Sequence, residues 1–195
     1  GSGTIYRFAN GQLSTLHAFA GGAGATYLTI GPGGVVYGVT EAGSANAYAE
    51  LFKLQNGTFT DLYDFNGTNG QAAGSSAAPT VAADGTIFGT TVNGGAYSSG
   101  TIWKFANGAM TTLYSFGRPD SQHNTLDGSA PNSKLVLAAD GTLYGTTQWG
   151  VGGSGYGTVF SFKDGVLTTL HNFAGAPDGN LPRGGLTLAP DGTLY

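Results

Sequence analysis

The feature that most constrains this chain is a phrase that recurs four times without a gap. Its copies are GTIYRFANGQLSTLHAF (3–19), AELFKLQNGTFTDLYDF (49–65), GTIWKFANGAMTTLYSF (100–116) and GTVFSFKDGVLTTLHNF (157–173). A second phrase, clearest in LVLAADGTLYGTT, follows each of these copies, at 27–40, 80–91, 135–147 and 186–195. Self-similarity with a period of roughly 20–50 residues marks repeat architectures, so one structural unit is used four times.

Each phrase consists of two strand-like runs separated by a pair of turn residues. The pair is Asn-Gly or Asp-Gly in the first phrase and Gly-Gly or Asp-Gly in the second. A type I′ hairpin turn needs positive φ at both central residues, which Asn, Asp and Gly tolerate. Within the runs, Tyr6 and Phe8 share one face while Ile5 and Arg7 share the other. This period of two indicates strands, so we expect eight hairpins and almost no helix.

Sixteen strands in four units predict an all-β fold, a β-propeller of four four-stranded antiparallel blades. A β-sandwich and an open solenoid are the alternatives, but two tight hairpins per unit favour blades. We treat residues 1–195 as one repeat domain with units of about 3–48, 49–99, 100–156 and 157–195. The sequence opens on outer strands and closes on inner strands. It therefore predicts a ring closed by pairing of these N-terminal and C-terminal strands, or exchange of the same strands with a second chain.

Composition excludes several classes of function. Only 9 % of residues are charged and the net charge is −4, with seven scattered basic residues, so we expect no nucleic-acid partner. No apolar run approaches the roughly 18 residues of a membrane-spanning helix, so we expect no membrane insertion. The chain has no cysteine, which removes disulfides and Cys-based zinc sites. We expect no metal and no cofactor.

Aromatic residues mark the glycine-rich loops that follow the second phrase. These loops, at 41–50, 92–100 and 148–157, carry Tyr48, Tyr97, Trp149 and Tyr156. In a blade they lie on the face opposite the tight turns, and binding residues gather on variable loops held by a rigid scaffold. Rings set among Gly and Ser suit stacking on a sugar or contact with another protein. The alternative is that they pack down between blades as loop anchors.

Polar residues mark the loops that join one unit to the next, at 117–131 and 174–185. The first loop carries Asp120, His123 and Asp127, and the second carries Asp178 and Arg183. A carboxylate and imidazole cluster could bind a metal or act as acid and base. However, Asp127-Gly128 and Asp178-Gly179 recur at one repeat position, which favours a role in turn structure. We place Asp127, Asp178 and Arg183 with the aromatic residues as candidate ligand contacts.

Two further sets of residues invite a catalytic interpretation that the repeat does not support. His17 and His171 occupy the strand position of Tyr63 and Tyr114, so we expect packing roles for both. Asp61 and Asp64 have no acidic counterparts in the other repeats, and the sequence shows no convergence of paired carboxylates.

Several blocks carry a family resemblance: GTVFSF, TTLHNF, PDGNLPRGGL and DGTLYGTT. They resemble the GloVer tandem repeat, a bacterial repeat family named for the lineages in which it was noticed. The resemblance covers essentially the whole chain and is weakest in the first repeat, where GGVVYGVT (33–40) replaces DGTLYGTT. It implies a propeller-like architecture and a secreted or surface-anchored bacterial protein, and it implies no particular activity.

These observations lead to three expected functions. The first is a non-enzymatic extracellular module that binds a glycan or a surface protein through the aromatic loops. The second is a structural module that self-associates by strand exchange. The alternative is an enzyme that acts on polysaccharide from the loop face, with Asp120, His123 or Asp178 as acid or base.

Overall fold

The computed structural model describes residues 3–20, 24–40, 49–66, 77–121, 125–153 and 155–195. Its strands are β1 (Thr4–Ala9), β2 (Gln12–Ala18), β3 (Ala25–Ile30), β4 (Val36–Thr40), β5 (Glu50–Gln55), β6 (Thr58–Asp64), β7 (Thr80–Val81), β8 (Ile87–Thr91), β9 (Thr101–Ala106), β10 (Ala109–Ser115), β11 (Ser129–Pro131), β12 (Val136–Leu137), β13 (Leu143–Trp149), β14 (Thr158–Lys163) and β15 (Val166–Asn172). Two single 3₁₀ turns, Pro32–Gly34 and Val151–Gly153, are the helical elements of the described chain. The all-β prediction is confirmed.

The strands form four antiparallel sheets. β1 and β2 make the N-terminal hairpin; β3 to β6 make sheet 1, and β7 to β10 make sheet 2. In sheet 3, β11 and β12 both pair with β13, which continues through β14 to β15. A last hairpin, the C-terminal hairpin (187–195), is held by the Leu188–Leu194 bridge and two hydrogen bonds between Thr187 and Tyr195. In each complete sheet the strands of the second phrase, which we call inner strands, lie on one side, and the strands of the first phrase, which we call outer strands, lie on the other. Sheet 3 adds β11, which precedes its second phrase.

The turns separate into two kinds. In the first phrase both turn residues have positive φ, as in Asn107 (53°) and Gly108 (76°), which confirms type I′ turns there. In the second phrase that prediction is wrong for the three Asp-Gly pairs. Gly85 has φ of 86° while Asp84 is not left-handed, and the Asp84 carboxylate accepts a hydrogen bond from the Thr86 amide at 2.9 Å. The Asp side chain closes these turns by bonding the backbone.

Neighbouring sheets pack through apolar side chains. One cluster joins Leu51 of sheet 1 to Trp103 and Phe105 of sheet 2, and a second joins Ile102 of sheet 2 to Phe160 of sheet 3. A third joins Ile5 and Phe19 of the N-terminal hairpin to Phe52 and Leu54 of sheet 1. The same contact is therefore repeated along the chain, with one face of each sheet against the opposite face of the next.

The described residues do not close a ring. Among the described residues, β1 pairs with β2 alone, and the C-terminal hairpin pairs with itself. The expected composite fourth blade is therefore present as two separate halves. The described residues therefore form a row of packed sheets in which one edge of β1 is unpaired.

Candidate functional site

The long loops of sheets 2 and 3 meet at one end of the sheets, opposite the tight turns. We call this surface the long-loop face; it comprises residues 92–100, 117–121, 125–130, 148–153, 155–157 and 174–185. β11 links its parts, because the Ala130 amide donates to the Ser99 carbonyl at 2.9 Å while Ser129 pairs with Trp149. The loop that carries Tyr97 and the loop that carries Trp149 are thus bound to the same short strand.

Threonine pairs fix the strand ends beneath these loops. The hydroxyls of Thr91 and Thr101 lie 2.9 Å apart, and those of Thr147 and Thr158 lie 2.7 Å apart, so each pair bridges an inner strand to the next strand of its sheet. Thr147 Oγ1 also donates to the Trp149 carbonyl at 2.8 Å. All four threonines are buried. Such satisfied buried hydroxyls hold the loop bases in place.

Three predicted ligand-binding rings lie on this face and are half-exposed. Tyr97 and Trp149 are each 45 % exposed and Tyr156 is 39 % exposed. The Tyr156 ring covers Gly175, where an added Cβ would lie 3.1 Å from its Cζ. All three rings therefore expose part of their surface, and the Tyr156 ring packs part of its surface on Gly175. Ligand binding by these rings stays a prediction. Tyr48, the fourth predicted ring, lies outside the described residues.

Asp127, a predicted ligand contact, is buried and bonds the base of its own loop. Its carboxylate accepts hydrogen bonds from the Tyr114 hydroxyl at 2.5 Å and the Gly117 amide at 3.0 Å. Burial raises the pKa of Asp127, and burial together with the carboxylate raises the pKa of Tyr114. We call this arrangement the Asp127 clasp.

Asp178 forms the equivalent clasp in the next loop. Its carboxylate lies 3.0 Å from His171 Nε2 and accepts from the Ala174 amide at 3.0 Å. The Ala174 amide and then the His171 imidazole lower the pKa of Asp178. His171 therefore occupies the place of Tyr114 and serves as the ring donor of an exposed clasp. His17, at the same strand position, stacks on Phe59 with ring centroids 4.0 Å apart.

The remaining predicted residues are spread along the face. Arg183 is exposed, and its segment is bound to the aromatic loop by the Leu181 amide, which donates to the Tyr156 carbonyl at 2.7 Å. Asp120 is half-buried and has a bonding partner. His123, the other candidate acid or base of this loop, lies outside the described residues.

Sequence reasoning missed one cluster of carboxylates. Glu50, at the long-loop end of β5, meets Asp61 and Asp64 of β6, with one carboxylate oxygen from each within 4.8 Å of the others. Glu50 is buried while the two aspartates are exposed. Burial, then Asp64 and Glu50, raise the pKa of Asp61. The expected lack of convergence is therefore wrong, since the missing member comes from the neighbouring strand. Exposed acidic clusters are common without a metal, and two of these three carboxylates are exposed.

The comparisons with known proteins agree with this architecture. A family model described as the Gloeobacter/Verrucomicrobia repeat matches residues 1–195, so the chain belongs to that repeat family. No curated protein matches the chain. No helix among the described residues has the length and apolar character needed to cross a membrane.

Solved structures share the fold at low sequence identity. TolB from Acinetobacter baumannii superposes with a TM-score of 0.58 at 17 % identity, covering 97 % of this chain and 41 % of TolB. Virginiamycin B lyase from Staphylococcus aureus gives 0.57 at 20 %, covering 95 % of this chain and 53 % of the lyase. A streptogramin B lyase gives 0.58 at 19 %, with coverages of 95 % and 51 %. The chain is β-propeller-like and spans about half the length of these proteins.

Proposed function

We propose that this chain, as a member of the Gloeobacter/Verrucomicrobia repeat family, is a non-enzymatic extracellular β-propeller module that binds a glycan through its long-loop face. A weakly charged protein surface is the other ligand of matching chemistry. The family resemblance supports the extracellular placement, and the residues of the long-loop face support the binding role.

The observation that carries the proposal is the set of three half-exposed rings on firmly bound loops. Tyr97, Trp149 and Tyr156 project from loops whose bases are held by threonine pairs, β11 and two carboxylate clasps. A ring that is already ordered loses little conformational entropy when it binds, and preorganisation of this kind raises affinity. Half-exposed rings on a rigid support are therefore suited to binding.

The chemistry of the rings favours a sugar. Aromatic faces pack against the apolar C–H face of a pyranose, while their polar edges and nearby Ser, Asn and backbone groups can bond its hydroxyls. The chain has 9 % charged residues, so attraction of a highly charged ligand is not supported. Asp178 and Arg183 are exposed on the same face and are the charged groups proposed to bond sugar hydroxyls at its rim.

The carboxylates of this face favour binding over catalysis. Asp127 and Asp178 each accept hydrogen bonds that hold their own loops. A general acid or base needs a proton to exchange with substrate and a pKa near the working pH. Asp127 is buried under its clasp, and the pKa of Asp178 is lowered. Neither carboxylate is placed for that work.

A glycan array tests the proposal directly. The wild-type chain is expected to bind a subset of neutral glycans, and Trp149→Ala is expected to lose most of that binding with little change in melting temperature. Trp149→Phe keeps a flat ring and is expected to retain partial binding. Val166→Ala, at an exposed position near a tight turn, is the control and should bind like wild type.

The proposal is wrong if Trp149→Ala and Tyr97→Ala both bind as wild type does. A parallel array of bacterial and host surface proteins separates the two ligand chemistries. Fractionation of the source cells tests the placement: recovery of the chain from cytoplasm alone would overturn the extracellular part of the proposal.

A further inference from the structure

Exposed apolar side chains in the middle of the chain are confined to the long-loop face. Among the described residues between 31 and 165, the large hydrophobic side chains that are exposed are Tyr97, Leu126, Trp149 and Tyr156. The other large apolar side chains of this stretch are buried or half-buried. A group of exposed apolar side chains on an otherwise well-packed stretch marks an interaction surface.

Hydrogen bonds join the segments that carry these side chains into one row. The segment with Tyr97 bonds β11, because the Ala130 amide donates to the Ser99 carbonyl at 2.9 Å. β11 pairs with the end of β13 at Trp149, and β13 pairs with β14, whose first residue lies two positions after Tyr156. Neighbouring strands lie about 4.8 Å apart, so three such steps give a path of about 14 Å from the first segment to the last. The row therefore extends well beyond the width of one aromatic ring.

The first half of the gap between Tyr97 and Trp149 is bridged by the Asp127 clasp. The clasp accepts from the Gly117 amide at 3.0 Å, and a Cβ on Gly117 would lie 3.4 Å from the Tyr97 Cβ. Tyr97 therefore lies beside one end of the segment that the clasp holds, and Leu126 is the residue that precedes Asp127 in this segment.

The second half of the gap is bridged by Thr125. Its hydroxyl donates to the Gly150 carbonyl at 3.1 Å, and its carbonyl accepts from the Gly152 amide at 2.9 Å. Both glycines lie within three residues of Trp149. Leu126, which follows Thr125 and is 43 % exposed, is thus placed between the two rings. The apolar side chains follow one another along the row in the order Tyr97, Leu126, Trp149, Tyr156.

The polar surroundings of the row favour a neutral ligand that carries many hydroxyl groups. The described residues of the long-loop face include three acidic and two basic side chains, so their charges nearly cancel: Asp120, Asp127, Asp178, Arg118 and Arg183. Exposed or half-buried hydroxyl and amide groups accompany the row at Ser98, Ser99, Ser129 and Asn180. A chain of neutral sugars has the matching surface, with apolar C–H faces and hydroxyl groups at the edges.

We propose that this row binds at least three successive residues of one neutral oligosaccharide chain, each sugar packed on one apolar side chain. The inference rests on the proposed glycan binding and specifies its ligand as a chain. A pyranose is about as large as one aromatic ring, so a single sugar covers one ring and only a chain contacts the whole row. Trp149 and Tyr156 lie one strand step apart and hold two neighbouring sugars. Leu126 and Tyr97 extend the contact to the sugars that follow.

Calorimetric titration with oligosaccharide ladders tests the length of the ligand. The ladders run from a monosaccharide to a hexasaccharide of β-1,4-linked glucose, xylose, mannose or N-acetylglucosamine, or of α-1,4-linked glucose. At least one ladder should bind with a dissociation constant that falls about two- to tenfold with each added sugar, because each sugar gains one apolar contact. The gain should end once the row is covered, at the third or fourth sugar.

Variants at the two ends of the row separate a sugar contact from a structural role. Tyr97→Ala should weaken binding of the hexasaccharide more strongly than binding of the disaccharide, since a short chain is held at Trp149 and Tyr156. Trp149→Ala should weaken both. The side chains are half-exposed, so circular dichroism should stay as in wild type. Val166→Ala, near a tight turn, is the control and should give the wild-type ladder.

Several results would overturn the inference. A ladder that binds with one affinity at every length would exclude recognition of a chain, while the proposed glycan binding would stand. Binding on a glycan array that is restricted to terminal sugars, with no ladder bound, would exclude it as well. Equal weakening of disaccharide and hexasaccharide by Tyr97→Ala would mean that Tyr97 supports the loop and contacts no separate sugar. Absence of binding to the array and to every ladder would overturn the proposed function together with this inference.

Discussion

Two strands of this chain have nearly the same sequence and opposite surroundings. β1 reads TIYRFA (4–9) and β9 reads TIWKFA (101–106), and both form the first strand of an Asn-Gly hairpin in the same register. Yet Trp103 and Phe105 are 1 % and 8 % exposed, whereas Tyr6 and Phe8 are among the most exposed apolar residues. Local sequence therefore determines the strand and its turn, while burial depends on whether a neighbouring sheet and an inner strand are present.

The same comparison shows which positions need an inner strand. In each complete sheet a glycine of the inner strand lies under the large ring of the next strand; a Cβ on Gly89 would come within 2.2 Å of Trp103 Cζ2. Tyr6 has no such glycine beneath it. The aromatic residue and the glycine form one packing unit, and in the N-terminal hairpin the aromatic residue is present without the glycine.

The largest expected difference lies between two phenylalanines at matched positions. Phe105→Ala should lower the free energy of unfolding by about 3–5 kcal/mol, because it leaves a cavity in a packed core. Phe8→Ala should change it by less than about 1 kcal/mol in dilute protein, since the side chain is mostly exposed. Urea denaturation of both variants measures this. Equal losses would mean that the hairpin is as fully packed as sheet 2.

The two carboxylate clasps give a smaller contrast, between a buried pair and an exposed one. Asp127→Asn replaces one acceptor oxygen with a donor, so the Tyr114 hydroxyl or the Gly117 amide loses its partner; the expected cost is about 1–3 kcal/mol. Asp178→Asn changes an exposed clasp, and we expect a smaller loss. Thermal denaturation at neutral pH should give a lower melting temperature for Asp127→Asn than for Asp178→Asn. The reverse order would contradict the expected difference between a buried and an exposed clasp.

The pH dependence of the clasps should differ in sign. The lowered pKa of Asp178 means that its ionised form stabilises the fold above the unfolded pKa of about 3.9, and this contribution is lost as the pH falls through the folded value. The difference in free energy of unfolding between the wild-type chain and Asp178→Asn should therefore decrease at low pH. The raised pKa of Asp127 means that the wild-type chain gains stability as the pH falls from the folded pKa toward the unfolded pKa of about 3.9. The difference in free energy of unfolding between the wild-type chain and Asp127→Asn should therefore increase.

The smallest expected effect concerns the acidic cluster of sheet 1. At the positions of Glu50, Asp61 and Asp64, sheet 2 has neutral residues: Thr101, Thr112 and Ser115. Since burial and the neighbouring carboxylates raise the pKa of Asp61, ionisation of this group disfavours folding. Asp61→Asn should therefore raise the melting temperature slightly at neutral pH, and the gain should shrink as the pH falls from the folded pKa toward the unfolded value of about 3.9. Thr112→Asn in sheet 2 is the matched control, and a gain of the same size there would contradict the electrostatic cause.

The repeat allowed much of this fold to be predicted, because strands and Asn-Gly turns are encoded within a few residues. For the three Asp-Gly turns of the second phrase the predicted type is wrong, since the sequence does not show that Asp84 bonds the Thr86 amide instead of adopting positive φ. The clasps could be predicted only in part. Asp127 and Asp178 share a repeat position, which indicates a common role, but their partners Tyr114 and His171 lie seven or more residues earlier.

The acidic cluster and the open ends could not be predicted in the same way. Glu50 meets Asp61 and Asp64 only after β5 and β6 pair with a bulge between Leu51 and Phe52. Ring closure depends on the curvature summed over all the sheets, which no local pattern contains. The part of the site that sequence reasoning located best is the set of aromatic rings, because loop position follows directly from strand order.

Hydrogen exchange of the two matched strands, β1 and β9, tests the central claim most directly. In dilute protein the amides of β1 should exchange faster than those of β9, because β1 has one open edge and an exposed face. Equal protection of the two strands would contradict the claim that burial of these positions depends on a neighbouring sheet and an inner strand.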